Sequence, residues 1–117
     1  MPREPATSST ADWPDQTIVL RGGIGDAQDL ARRRSPVGRW SVFASPGQPM
    51  TTLARSVPHN RLRMTTLGLI RSGGGHLVVT PGPPYHCEVS GLTAIQLDAI
   101  LGPPVLNPVP PRERWTP

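Results

Sequence analysis

The apolar positions of this chain fall into short groups. These switch between a period of two and a helical period, with glycine or proline at most of the switches. "TIVLRGG" at 17–23 is an aliphatic run closed by a glycine turn, the pattern of a short buried strand. "RWSVFAS" at 39–45 alternates, with Trp40, Val42 and Ala44 on one side and Arg39, Ser41 and Phe43 on the other. "NRLRMT" at 60–65 does the same: Leu62 and Met64 share one face, and Arg61, Arg63 and Thr65 the other. "HLVVT" (76–80) and "YHCEV" (85–89), joined by a proline-rich loop, read as an antiparallel pair.

Helical signals lie between these strands. "GDAQDLARRR" (25–34) has Asp26 as N-cap and three arginines at its end, which suits the helix dipole. "MTTLARSV" (50–57) is stopped by Pro58. Thr65 or Thr66 caps "LGLIRS", which Gly73 to Gly75 terminate. Thr93 and Gln96 have capping-box spacing, Leu92 and Leu97 staple spacing, and Gly102–Pro103 ends that helix. Its expected core face is Ile95, Leu97, Ile100 and Leu101. The fold class expected is α+β. It has a small, largely antiparallel sheet of four to five strands with three to four short helices, all within 17–102. Residues 1–16 read as a disordered tail, and 103–117, with six prolines, as an extended one.

A length of 117 residues allows one domain. No apolar run approaches the roughly 18 residues of a membrane span, and no basic start followed by an apolar stretch marks a secretory signal. The expectation is therefore no membrane association and a cytoplasmic site, or export without a cleavable signal. One cysteine, Cys87, excludes an internal disulfide and a four-cysteine zinc site, and strand alternation turns it inward as a small hydrophobe. The basic side chains are twelve arginines and no lysine, which together with sixteen prolines suggests a GC-rich coding background. Even so, residues 17–102 carry nine arginines against four carboxylates, a net +5. Such a surface attracts nucleic acid.

The candidate chemistry lies on two strands. In "YHCEV", alternation turns Tyr85, Cys87 and Val89 inward and leaves His86 and Glu88 together on the accessible face as an acid–base pair. "PHNRLRMTT" places His59 and Asn60 at a strand entrance, followed by Arg61, Arg63 and Thr65 at period two, a cradle for phosphate that Arg71 would extend. If the two strands share a sheet and an open face, these groups supply what metal-free RNA cleavage needs: His86, Glu88 and His59 for proton transfer, arginine for phosphate. No metal and no cofactor is called for, since the histidines and cysteine lack ligand spacing and "RSGGGH" lacks the P-loop ending. The function expected is that of a compact, toxin-like ribonuclease with RNA as partner. The alternative is a non-catalytic adaptor that engages a protein through 103–117. A third reading starts from "VLRGG", "FAS" and "HCEV", whose order of Arg, Ser and Glu resembles the arginine–serine–glutamate layout of ADP-ribosyltransferases. That resemblance implies NAD phosphate on Arg21 and a ribose hydroxyl on Glu88.

Overall fold

The computed structural model describes residues 7–33 and 38–116; Arg34 and most of the turn expected at 35–38 lie outside them. The elements run β1 (Ser8–Ser9), β2 (Ile18–Gly22), α1 (Ala27–Arg33), β3 (Trp40–Ala44), α2 (Met50–Ala54) and β4 (Arg61–Thr66). They continue with α3 (Leu67–Ser72), β5 (His76–Val79), β6 (His86–Ser90), α4 (Ala94–Ile100), β7 (Val105–Leu106) and a single 3-10 turn, Pro111–Glu113. The class is α+β as expected, but the sheet is larger: seven strands in the order β1-β5-β6-β3-β2-β4-β7, every pairing antiparallel. The five inner strands are those expected from the apolar pattern at 17–23, 39–45, 60–65, 76–80 and 85–89. The two additional ones are two-residue edges contributed by the end segments, and such short edges give other chains little to pair with.

Both faces of the sheet are covered. On one face Val19, Trp40, Val42, Ala44, Cys87 and Val89 pack beneath Leu30 of α1, Leu67 and Ile70 of α3 and Leu97 of α4. The other face holds Leu20, Phe43 and Leu62 under Leu53 and Ala54 of α2, with Val57 and Val109. Apolar burial on both sides is the main stabilising term for a chain with so few aromatic residues. Trp40 is the largest buried side chain, and its indole N–H donates to the Leu30 carbonyl (2.8 Å), which ties β3 to the end of α1. In α4 the capping box forms as its spacing requires: Thr93 accepts from the Gln96 amide (3.1 Å) and Gln96 from the Thr93 amide (2.8 Å). Ile95 departs from the expected core face and is 74% exposed, because α4 packs through Ala94, Leu97 and Leu101, three and four residues apart.

The expected open face of β4 is covered. Arg61, Arg63 and Thr65 lie on the side that α1, α3 and α4 cover, so Arg63 (8% exposed) and Thr65 (4%) are buried while Met64 is 43% exposed. Tyr85 also departs from its expected face. Its φ of 66° breaks the alternation, and its ring packs with the α2-side cluster.

The described parts of the end segments, residues 7–16 and 103–116, are bound to the domain; residues 1–6 of the expected N-terminal tail lie outside the described residues. Arg71 donates to the carbonyls of Trp13 (2.8 Å), Thr10 (2.8 Å) and Ala11 (3.4 Å) and pairs with Asp15 (2.7 Å), while Thr10 Oγ1 donates to the Leu77 carbonyl (2.6 Å). At the other end, Asn107 Nδ2 donates to the carbonyls of Ala54 (3.2 Å), Val57 (3.1 Å) and His59 (3.1 Å). Arg114 bonds the Val109 carbonyl and Asn60 Oδ1, and the Trp115 amide donates to the Arg55 carbonyl (2.7 Å). Proline removes donors and fixes φ without preventing such a segment from packing.

Candidate functional site

The site forms where the sheet opens. β2 and β3 pair only at Val19–Ala44 and Leu20–Phe43. Beyond those residues β2 continues alongside β4 as far as Gly22–Leu62, and β3 alongside β6 as far as Trp40–Val89. Arg21 reaches across the divergence, with Nη1 donating to the Ser41 carbonyl (2.8 Å). A cleft of about 780 Å³ occupies the opening, within the roughly 300–1,000 Å³ of small-molecule sites. Its walls are the glycine-rich segment Gly22–Gly25 with α1, the strand residues Ser41 and Phe43, the loop that carries His59, and Pro83 with His86 at the start of β6, with Trp115 from the C-terminal segment.

Two histidines expected to act together therefore share one cleft, although one comes from the loop before β4 and the other from the start of β6. His59 lies against Gly22, where a Cβ would collide with the imidazole Cδ2, so a larger residue there would displace the His59 ring. Burial lowers the His59 pKa below its ordinary value, and the Arg21 and Arg33 guanidinium groups lower it further. His86 is held by a short contact from its Nδ1 to Thr80 Oγ1 and packs edge-on against Phe43, with ring centroids 5.6 Å apart. Its pKa is also lowered by burial, while Glu88 acts in the opposite direction. Nε2 of His86 and both ring nitrogens of His59 have no hydrogen-bond partner among the described residues.

The arginines separate into two kinds. Arg63 touches the cleft but uses all five of its N–H groups internally: Nε on Gly102 O, Nη1 on Gly25 O and Asp98 Oδ1, Nη2 on Asp98 O and Leu101 O. Arg21, its cross-strand partner, uses one N–H on Ser41 O and leaves four without a partner among the described residues. A guanidinium lacks an acceptor and stays charged, so Arg21 is a cation of the cleft available to an anion. Arg33 also lines the cleft; its Nε donates to Asp29 (2.9 Å), and its Nη groups have no hydrogen-bond partner among the described residues, so it is a second, more exposed cation of the cleft.

The remaining expected residues do not join this site. Glu88 lies on the same face as His86 but pairs with Arg39 (3.6 Å) and is not part of the cleft wall. Asn60 accepts from Arg114, Arg61 is exposed on β4, and Thr65 is buried with its hydroxyl unpartnered. Arg71 borders a different cavity beside β1, together with His76. The single surface expected to gather His86, Glu88, Arg61, Arg63 and Thr65 is thus divided. β4 and β6 are separated by β2 and β3, and the two groups of side chains lie on opposite faces of the sheet.

Of the three residues in the arginine–serine–glutamate resemblance, Arg21 lines the cleft, while Ser45 and Glu88 lie outside its wall. Sequence reading missed Arg33, Asp29 and Trp115. The usable signal was "RGGIGD", a strand that runs through glycines into a helix, which marks a place where backbone and ligand can approach closely. The Cys87 thiol is pushed up to about 12 by burial and is no nucleophile. No group of three His, Cys, Asp or Glu side chains among the described residues is placed to hold a metal ion, and no described helix is long and apolar enough to cross a membrane. No family model, curated protein or solved structure matches the chain.

Proposed function

We propose that the cleft binds and cleaves a phosphodiester of RNA, with His59 as general base, His86 as general acid and Arg21 as the phosphate cation. One observation carries the reading: two histidines with ring nitrogens, and an arginine with four N–H groups, that have no hydrogen-bond partner among the described residues line the same cleft. The charges around them support this division of roles. Burial disfavours imidazolium at both; Arg21 and Arg33 add to that at His59, which suits the base, whereas Glu88 opposes it at His86, which suits the acid of the pair. Thr80 Oγ1 holds Nδ1 of His86 and leaves Nε2 for the leaving group.

His59 takes the proton of the ribose 2′-hydroxyl, and the 2′-oxygen attacks phosphorus. The bond from phosphorus to the 5′-oxygen breaks, and that oxygen takes a proton from His86. The products are a 2′,3′-cyclic phosphate and a free 5′-hydroxyl. Arg21 stabilises the charge that builds on the non-bridging oxygens.

The test is purified protein on single-stranded RNA, with product ends identified by mass spectrometry. His59→Ala and His86→Ala should each lose about 10²–10⁴-fold in rate. Wild-type protein that leaves RNA intact, or cleavage that survives both substitutions, refutes the reading. A second reading, NAD on Arg21 as in ADP-ribosyltransferases, is favoured by the same four free N–H groups. It requires NAD to raise the melting temperature, because a ligand of the native state stabilises it.

A further inference from the structure

The C-terminal segment puts one aromatic side chain at the cleft for which neither folding nor proton transfer accounts. Trp13 is packed against the core and Trp40 is 1% exposed, whereas Trp115 borders the cleft and is 37% exposed. It is not on a loose end. The segment is anchored by β7 on β4, by Asn107 on three carbonyls and by Arg114 on Asn60, and the Trp115 amide itself donates to the Arg55 carbonyl. No hydrogen bond to the indole N–H occurs among the described residues. A partly exposed indole on an anchored backbone, lining the same cleft as His59 and Arg21, offers what an unstacked nucleobase requires: an aromatic face for the base and a cation in the same cleft for its phosphate.

We propose that Trp115 is the base-stacking platform of this site and restricts its substrates to single-stranded RNA. The inference rests on the phosphodiester reading of the cleft and adds the substrate class to it. A base inside a duplex is stacked on its neighbours and does not present its face to Trp115. The C-terminal segment, which adds little to the core beyond Val109, thereby becomes part of the binding site.

The experiment is calorimetric titration of the full chain with two probes, uridine 3′-monophosphate and inorganic phosphate, for wild type, Trp115→Ala and Trp115→Phe. Thermal melts check that each variant is folded. Trp115→Ala should weaken the nucleotide about 10- to 100-fold and leave inorganic phosphate unchanged, with Trp115→Phe in between. An unchanged nucleotide affinity in Trp115→Ala overturns the platform while the phosphodiester reading stands. Equal weakening of both probes also overturns it, since Trp115 would then only brace the site. If wild type binds neither probe, the phosphodiester reading falls and the platform falls with it. If Trp115→Ala no longer melts cooperatively, Trp115→Phe, which keeps the packing, decides the matter: there the nucleotide-to-phosphate affinity ratio must fall, and an unchanged ratio overturns the platform.

Discussion

Arg21 and Arg63 face each other across β2 and β4, and replacing each with methionine should have opposite consequences. Methionine keeps the length and the apolar stem and removes the charge and all the donors. In Arg63→Met the Asp98 carboxylate loses its partner at 2.6 Å, and the carbonyls of Gly25, Asp98, Leu101 and Gly102 lose their donors in a region where the arginine side chain is only 9% exposed. Removing one member of a buried ion pair costs about 3–5 kcal/mol. Partial hydration of Asp98, whose side chain is 33% exposed, places the expectation toward the lower end, at about 3 kcal/mol. That is a large part of the roughly 5–15 kcal/mol available to a small domain.

Arg21→Met removes a single hydrogen bond, to the Ser41 carbonyl. It also removes one of two cationic side chains placed directly opposite on one sheet face, an arrangement that costs stability. The net change should be within about 1 kcal/mol of zero. The rate of RNA cleavage should fall about 10²–10³-fold, the scale of losing one stabilising donor set at a charged transition state. Urea unfolding followed by Trp fluorescence gives the stabilities, and the cleavage assay gives the rates. If Arg63→Met costs less than about 1 kcal/mol, or Arg21→Met is the more destabilising of the two, the division into a bracing arginine and a ligand arginine is wrong.

Two further outcomes follow from buried polar groups. Asn107→Ala should cost about 2–3 kcal/mol in urea unfolding, because three carbonyls lose their donor and the Val109 amide its acceptor; a loss below about 0.5 kcal/mol would mean that the C-terminal segment is not held as described. Cys87, fully buried with its thiol pushed up to about 12, should resist iodoacetamide at pH 8 in native buffer and react fully in urea, and rapid native labelling would contradict that burial.

Local patterns made the elements legible, and pairing partners were not. Thr93 with Gln96, and Thr66 ahead of Leu69, act through neighbours three residues away, so the caps and helices could be read directly from the chain. Alternation correctly separated His86 and Glu88 from Cys87 and Val89. Periodicity says which residues share a face but not which face a helix will cover. That is why Arg63, read as open to phosphate, lies under α1 and α4 instead. The cleft was the least legible feature, since it depends on where β2 and β3 stop pairing and on a C-terminal residue 94 positions from Arg21. Composition does not show how the C-terminal segment is held, because its anchors, Asn107 and Arg114, are single polar residues.

The pH dependence tests the assignment of base and acid. Both histidines have pKa values below the ordinary 6.5, and kcat/KM follows the free enzyme. The productive form carries a neutral His59 and a protonated His86. Its rate should fall at low pH as His59 gains a proton and at higher pH as His86 loses one, so the maximum lies below 6.5. Arg33→Gln removes a cation that lowers His59, raises that pKa and moves the acid limb to higher pH. Glu88→Gln removes the charge that raises His86 and moves the alkaline limb to lower pH. Stability runs the other way. The unfolded chain binds protons at these histidines more readily than the folded one, so their contribution is complete above 6.5 and is lost as pH falls through the folded values. The protein should therefore be most active where it is already losing stability, a cost expected of a site whose cations are placed for a substrate rather than for the fold. A maximum at or above pH 7, or both limbs moving together in either variant, would remove the assignment of His59 as base and His86 as acid.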